Sequence, residues 1–215
     1  MSDFRQDFLL FAHQKEALKF GSFTTKAGRQ SPYFFNAGLF NDGNSLTTLA
    51  NFYAQAIIES KIEFDMLFGP AYKGITLAAA TCMALAQKGV NVPFAFNRKE
   101  AKDHGEGGVL IGAPLHGKVL IIDDVISAGT SVRESIDILN QNKAQPAGVV
   151  IALDRMEKGK DCDLSAIQQV EQTFNIPVVS IANLNDLIHL MQQDNNFSDY
   201  FEKMVDYRSE YGVQQ

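Results

Sequence analysis

The sequence predicts an α/β protein with a central, mostly parallel sheet flanked by helices. Three observations predict it. The runs "FDMLFGP", "KVLIIDD" and "AGVVIALDR" are short, apolar and without alternation, as strands buried on both faces are. Each is followed by a longer stretch with apolar residues at helical spacing, the rhythm of parallel strands joined by crossover helices. The chain of 215 residues, 46% of them hydrophobic, is long enough for a single domain (1–215) with a sizeable core.

The elements follow in order. Phe4, Phe8 and Phe11 recur at helical spacing with charges between them, so the first segment reads as an amphipathic core helix and not as a signal peptide. "FGSFTTKAGRQSPYFFNAG" reads as a hairpin, with aromatic and β-branched flanks about a turn at "AGR". Residues 45–60 form the next helix, with Ser45 as its cap. "FDMLFGP" is a strand and "GITLAAATCMALAQKG" a helix closed by Gly89. "VPFAFNR" is a strand, and residues 99–117 read as a long, polar, Gly-rich connection. "KVLIIDD", "TSVRESIDILNQN", "AGVVIALDR", "LSAIQQVEQTF", "IPVVSIAN" and "LNDLIHLMQQ" then alternate strand and helix. No repeat or linker interrupts them.

Composition narrows the function. The net charge of −6 gives no global basic footprint, so nucleic acid is not an expected partner. The longest weakly polar stretch is too short to span a bilayer, so no membrane association is expected. Cys82 and Cys162 stand alone, which suits a reducing, cytoplasmic setting. His13, His104, His116 and His189 are scattered, so no histidine metal site is expected.

Ligands of parallel α/β sheets bind outside the carboxyl ends of the strands. Four stretches fall there: 69–74, 98–102, 123–131 and 154–155. The third carries the strongest signal. Asp123 and Asp124 end an apolar strand and repel each other unless something positive or hydrogen-donating lies between them. Ribose hydroxyls, or a polyol bearing Mg²⁺, meet that need. "SAGTS" follows, with the hydroxyls of Ser127, Thr130 and Ser131 and the amides around Gly129 leading into a helix N-terminus, a cup for a phosphate. A capped strand-to-helix turn would show the same loop, and response-regulator receivers also carry paired acids. In receivers, though, the acids lie near the N-terminus with no small-residue phosphate loop behind them.

"GPAYKG", residues 69–74, lacks the Walker spacing but puts Lys73 in a first helical turn, where the helix dipole disfavours a cation unless an anion is bound there. "NRKEAKDHGEGG" gathers Arg98, Lys99, Lys102 and His104 in one segment of an acidic chain. It is no dinucleotide fingerprint, since Leu110 stands at the third glycine position. Connections of this length are uncommon unless they act as lids.

The strand, the Asp-Asp pair and "VISAGTS" together resemble the 5-phosphoribosyl-1-diphosphate (PRPP) motif of type I phosphoribosyltransferases. "FTTKAGRQSPYFFNAGLF", "FGPAYKGI", "FNRKEAKDHGEGG", "IIDDVISAGTS" and "ALDR" further resemble, in order and spacing, the bacterial orotate phosphoribosyltransferase family, over essentially the whole chain. The resemblance implies the type I phosphoribosyltransferase fold, with a small helix and hairpin hood at about residues 1–40 contributing the base site, and a flexible catalytic loop from Arg98 to Gly108. It implies transfer of ribose 5-phosphate from PRPP to orotate in pyrimidine synthesis. PRPP would be held by Lys26, by Tyr72 and Lys73, by Arg98, Lys99, Lys102 and His104, and by residues 123–131, which are Asp123, Asp124, Val125, Ile126, Ser127, Ala128, Gly129, Thr130 and Ser131. Orotate would meet Phe34, Phe35, Ser127 and Arg155. Lys99, Lys102, His104 and Asp124 would carry the chemistry. Ser127 stands where many members have threonine and keeps the hydroxyl. Mg²⁺ would ride on PRPP with no direct protein ligand, and a homodimer would supply the loop in trans. An arginine fork suits the carboxylate of orotate on physical grounds as well. Uracil or a purine would not need it. A PRPP-binding regulator of nucleic acid would need a basic extension that the sequence lacks.

Overall fold

The computed structural model describes residues 3–25, 27–102, 108–160 and 162–213, apart from the side chains of 101, 102 and 195. Helix α1 (Phe4–Gln14) is capped by Asp3, whose carboxylate accepts the Arg5 amide. Strands β1 (Leu18–Thr24) and β2 (Gln30–Phe35) form an antiparallel hairpin outside the main sheet. Helix α2 (Gly43–Ser60) leads to β3 (Met66–Gly69), α3 (Lys73–Gln87), β4 (Phe94–Lys102) and β5 (Gly108–Gly112). Then come β6 (Lys118–Ile122), α4 (Thr130–Gln141), β7 (Gln145–Asp154), α5 (Ala166–Phe174), β8 (Val178–Asn183), α6 (Leu184–Gln193) and α7 (Ser198–Tyr211).

The main sheet has the order β5-β4-β3-β6-β7-β8, and every pair is parallel except β4 with β5. Strand side chains alternate between two cores, as the pleat requires. Leu67, Leu120, Ile122, Val150 and Ala152 meet α1, α2, α3, α6 and α7 on one face. Met66, Phe68, Val119, Ile121, Val149 and Ile151 meet α4 and α5 on the other. This double burial is why the strands read as unbroken apolar runs. The chain runs from β3 outward to β4 and then returns to place β6 on the other side of β3. The crevice at the carboxyl ends of β3 and β6 is therefore the topological switch point, where ligands bind in sheets of this kind. Among the described residues no helix is long and apolar enough to cross a membrane.

Four expectations change. Helix α2 is capped by Asp42, not Ser45. Ser45 is the third helical residue and completes a capping box, its hydroxyl receiving the Asp42 amide. The connection over 99–117 holds an antiparallel edge strand, β5, whose glycines disguised it. Strand β4 runs on to Lys102, so Arg98, Lys99 and Lys102 belong to a strand and not to an open loop. Helix α7 is an element the pattern did not announce, because only Met204 and Tyr207 of its residues are buried.

Candidate active site

Two helices aim their N-termini into the switch point, and neither has a side-chain cap. Tyr72 precedes α3 and Gly129 precedes α4. By contrast α1, α2, α5 and α6 are each capped by Asp, Ser or Asn, and the uncapped α7 begins from a short 3-10 turn, not from a strand end. Free first-turn amides and the positive end of the dipole make both junctions suited to anions. Gly129 has φ +70, the left-handed conformation that turns the loop into α4 and that glycine adopts without strain.

Between these junctions stand the two aspartates. Asp124 is buried and its Oδ2 receives Lys73 Nζ at 2.5 Å. That pairing answers the dipole problem of Lys73 in the free protein. Asp123 receives the Asp124 amide on Oδ1 and the Ser131 hydroxyl on Oδ2, both at 2.9 Å. Burial, and then the neighbouring charge of Asp124, push the Asp123 carboxyl up to about 6. The main chain here is fixed by Tyr53, which donates from its hydroxyl to the Asp123 carbonyl, and by the Ala152 amide on the Asp124 carbonyl. Val125 packs into one core and Ile126 into the other, so these two residues can offer only backbone to a ligand. Ser127 and Ala128 are left exposed at the rim, with Thr130 in the first turn of α4.

The loop from β3 to α3 is set by a close approach. A Cβ on Gly69 would lie 2.0 Å from the Gly74 carbonyl oxygen and 2.8 Å from Ala78 Cβ. Asn97 Oδ1 on β4 receives the Ala71 amide at 2.9 Å, and the Ala71–Tyr72 peptide is cis. Tyr72 is exposed, and Lys99 stands 5.2 Å above its ring. Arg98, the preceding residue of β4, is half-buried, with Nη1 shielded from solvent and no partner among the described residues. Gly69→Ala is expected to push α3 off β3, lowering stability by about 1–3 kcal/mol and displacing Lys73. Thermal melting together with donor binding checks this, and both should suffer.

A second polar cluster, where the orotate contacts are expected, is built from the hairpin and the end of β7. Met156 adopts φ +52 just after β7, and Asp154 Oδ1 receives the Met156 amide at 2.8 Å, a local turn that sends Arg155 toward the hairpin. The guanidinium lies 4.3 Å over the Tyr33 ring and donates to Ser31 Oγ at 3.1 Å. Its Nε and Nη2 also grip Glu157 Oε1 at 2.8 and 2.6 Å. That edge of the guanidinium is thus engaged within the chain, which leaves Nη1. Phe34 and Phe35 point to opposite faces of β2, as neighbours on a strand must. Phe34 is 46% exposed, whereas the Phe35 ring packs edge-on against Phe8 in the core. Lys26 and His104 lie outside the described residues, and so does the side chain of Lys102. Among the described residues no three His, Cys, Asp or Glu side chains cluster as metal ligands. Asn97, Tyr53, Ser31 and Tyr33 joined the site only through the fold, since each meets its partner across a long sequence separation, whereas Glu157 lies two residues from Arg155 and is tied to the distant chain only through Tyr207 and Arg29.

A family model described as a phosphoribosyl transferase domain matches residues 40–179. The orotate phosphoribosyltransferase of Neisseria meningitidis serogroup C is 69% identical over 214 residues, covering 100% of both chains. The chain belongs to the orotate phosphoribosyltransferase family. The enzyme of that name from Laribacter hongkongensis is 65% identical over 99% of this chain and 100% of its own. The crystal structure of the Francisella tularensis family member superposes with a TM-score of 0.87 at 47% identity, covering 96% of this chain and 100% of that one. The mostly parallel sheet flanked by helices is thus the fold of that family.

Proposed function

We propose that the protein catalyses transfer of ribose 5-phosphate from PRPP to N1 of orotate, giving orotidine 5-phosphate and diphosphate for pyrimidine synthesis. The observation that carries this reading is the pair of uncapped helix N-termini flanking Asp123 and Asp124. In this reading the α4 junction, from Ser127 to Ser131, takes the 5-phosphate. The carboxylates of Asp123 and Asp124 take the ribose hydroxyls, and the loop of Tyr72 and Lys73 takes the diphosphate. Arg98, Lys99, Lys102 and His104 add positive charge to the leaving group, with Lys26 reaching in from the hairpin turn. Phe34, Ser127 and Arg155 hold orotate; Phe35, expected beside them, has its ring in the core against Phe8 and can support the site only from behind. As the bond to C1 lengthens, the sugar gains positive charge and the diphosphate gains negative charge, so fixed groups of opposite sign lower the barrier.

Mg²⁺ fits this site only in part through the protein. Lys73, Ser131 and an amide already occupy carboxylate oxygens of Asp123 and Asp124, and no further acid joins them among the described residues. The remaining lone pairs suit an ion that arrives on the oxygens of PRPP, whose charge the ion would offset. We also infer a single domain, a cytoplasmic setting and a homodimer in which the hairpin of β4 and β5 serves the neighbouring site. Exposed Met83 and Val109 support an interface on that side.

Loss of orotate absorbance in the presence of PRPP and Mg²⁺, with uracil and hypoxanthine as controls, tests the reading. Turnover is expected with orotate alone. Arg155→Lys cannot hold Glu157 and the acceptor together, and is expected to weaken orotate by about 2–5 kcal/mol while leaving the PRPP KM nearly unchanged. An unchanged orotate KM would remove Arg155 from the acceptor site.

A further inference from the structure

Arg155 does not stand free to meet an acceptor. It belongs to a buried polar cluster that joins three distant parts of the chain, and Glu157 is its centre. Glu157 Oε1 accepts from Arg155 Nε at 2.8 Å and from the Tyr207 hydroxyl at 2.9 Å, and lies 2.6 Å from Arg155 Nη2 in an ion pair. Glu157 Oε2 lies 3.9 Å from Arg29 Nη1, and Arg29 in turn donates to the carbonyls of Lys158 and Gly159 at 2.8 and 3.0 Å. The side chains of Glu157, Arg29 and Arg155 are 15%, 14% and 23% exposed, so water does little to screen or replace these contacts. Burial, and then the Glu157 charge, raise the Tyr207 hydroxyl above its ordinary range, so it remains a donor at neutral pH.

A surface salt bridge would leave Arg155 its full choice of rotamers. Here the Nε–Nη2 edge is spent on one carboxylate oxygen, the flat face lies on Tyr33, and Ser31 accepts beside it. What is left is the Nη1 edge, in a single orientation. Placement of a binding group to a fraction of an ångström requires such support, because a misplacement of about 1 Å can cost roughly 100-fold in rate.

We infer that Glu157 is the positioning residue of the acceptor site: it turns the Nη1 edge of Arg155 toward the acceptor's carboxylate, and Tyr207 makes helix α7 part of that site. The inference rests on the proposed role of Arg155 in binding orotate. It assigns specificity for a carboxylate-bearing pyrimidine to a cluster whose outer members touch no substrate. The length of the Glu157 side chain matters here more than its charge. Its net effect on a bound anion is repulsive, and only its reach to Arg155 and Tyr207 favours binding.

Two variants separate reach from charge. Glu157→Gln keeps the length and an acceptor oxygen for Arg155 and Tyr207 but loses the charge. Glu157→Asp keeps the charge but falls short by one methylene. Steady-state kinetics should show Glu157→Gln within about threefold of the parent orotate KM and Glu157→Asp raised about tenfold or more, with PRPP KM within about twofold in both. Tyr207→Phe should shift orotate KM in the same direction as Glu157→Asp, by less. Melting temperatures identify a variant that does not fold, and Tyr207→Phe, which loses one hydroxyl, then carries the comparison. Combining Glu157→Asp with Arg155→Lys should add little to Arg155→Lys alone. The inference fails if Glu157→Asp leaves orotate KM within about twofold while Arg155→Lys raises it, or if Glu157→Gln is as impaired as Glu157→Asp. It also fails if PRPP KM rises in step with orotate KM. An Arg155→Lys protein with the parent's orotate KM would instead overturn the role of Arg155 itself, and the two failures are told apart by that one control.

Discussion

Asp123→Asn and Asp124→Asn are expected to cut kcat by about 100–1000-fold each, the range typical of losing one group matched to transition-state charge, while only Asp123→Asn raises stability. Asp123 is the destabilising member of the pair. Burial and then Asp124 raise its carboxyl from an ordinary 3.8 to about 6. A carboxyl with a raised folded pKa binds its proton more tightly in the native state. Its contribution to stability is therefore complete below about pH 4 and is lost as pH rises through about 6, so at neutral pH the ionised group is a cost. Asparagine retains an acceptor for the Asp124 amide and a polar partner for Ser131. It should raise Tm at pH 7 by a few degrees, about 2–6 °C for a domain of this size, with the gain vanishing near pH 4. Asp124→Asn, by contrast, keeps a neutral acceptor for Lys73, which is half exposed, so its Tm should change little. Melting curves from pH 4 to 8 with kcat measurements check both. Equal Tm values for Asp123→Asn and the parent at pH 7 would mean that Asp123 carries no penalty in the folded state.

The same ionisation governs binding. Sugar hydroxyls donate best to a carboxylate, so PRPP should bind the free protein less well as pH falls through about 6. The 5-phosphate of PRPP also takes up a proton near pH 6. The informative quantity is therefore the difference between parent and Asp123→Asn, read by calorimetric titration, which needs no turnover. The parent should lose affinity more steeply than the variant.

How much of this was legible in sequence follows from where each interaction lies. The aspartates, the phosphate loop and Lys73 sit in contiguous motifs at strand ends, and a parallel sheet places strand ends together whatever the rest does. The two cores were visible because strands buried on both faces cannot alternate. The Glu157 cluster was invisible. Glu157 meets Tyr207 fifty residues away and Arg29 from the first hairpin, and no periodicity encodes such a meeting. The approach of Gly69 to Gly74 was hidden for a related reason, since a missing side chain reveals its purpose only when the opposing backbone is known. Strand β5 was obscured by "GG" and "IG" at its ends, and α7 by charges on most of its faces.

The strand that carries the basic residues also bears on the assembly. Gly69, the end of β3, pairs with Phe96, yet β4 continues to Lys102, six residues on and therefore about 20 Å further along the strand direction. Lys99 remains beside the loop of its own chain, as its contact with Tyr72 shows. Lys102 stands at the far end of a hairpin that outruns its sheet. In the homodimer proposed above, a projection of that length would reach toward the second copy. Lys102→Ala and Asp124→Asn proteins should each be nearly inactive. If the hairpin acts in trans, a hybrid dimer gathers both lesions in one site and leaves the other site complete, so mixing with subunit exchange should restore about half the activity of the parent per hybrid. If the hairpin serves its own site, each site of the hybrid keeps one lesion and mixing restores nothing. An affinity tag on one variant isolates the hybrids and proves exchange. Tagged hybrids with no recovered turnover would confine Lys102 to its own subunit and leave the transfer reaction itself unaffected.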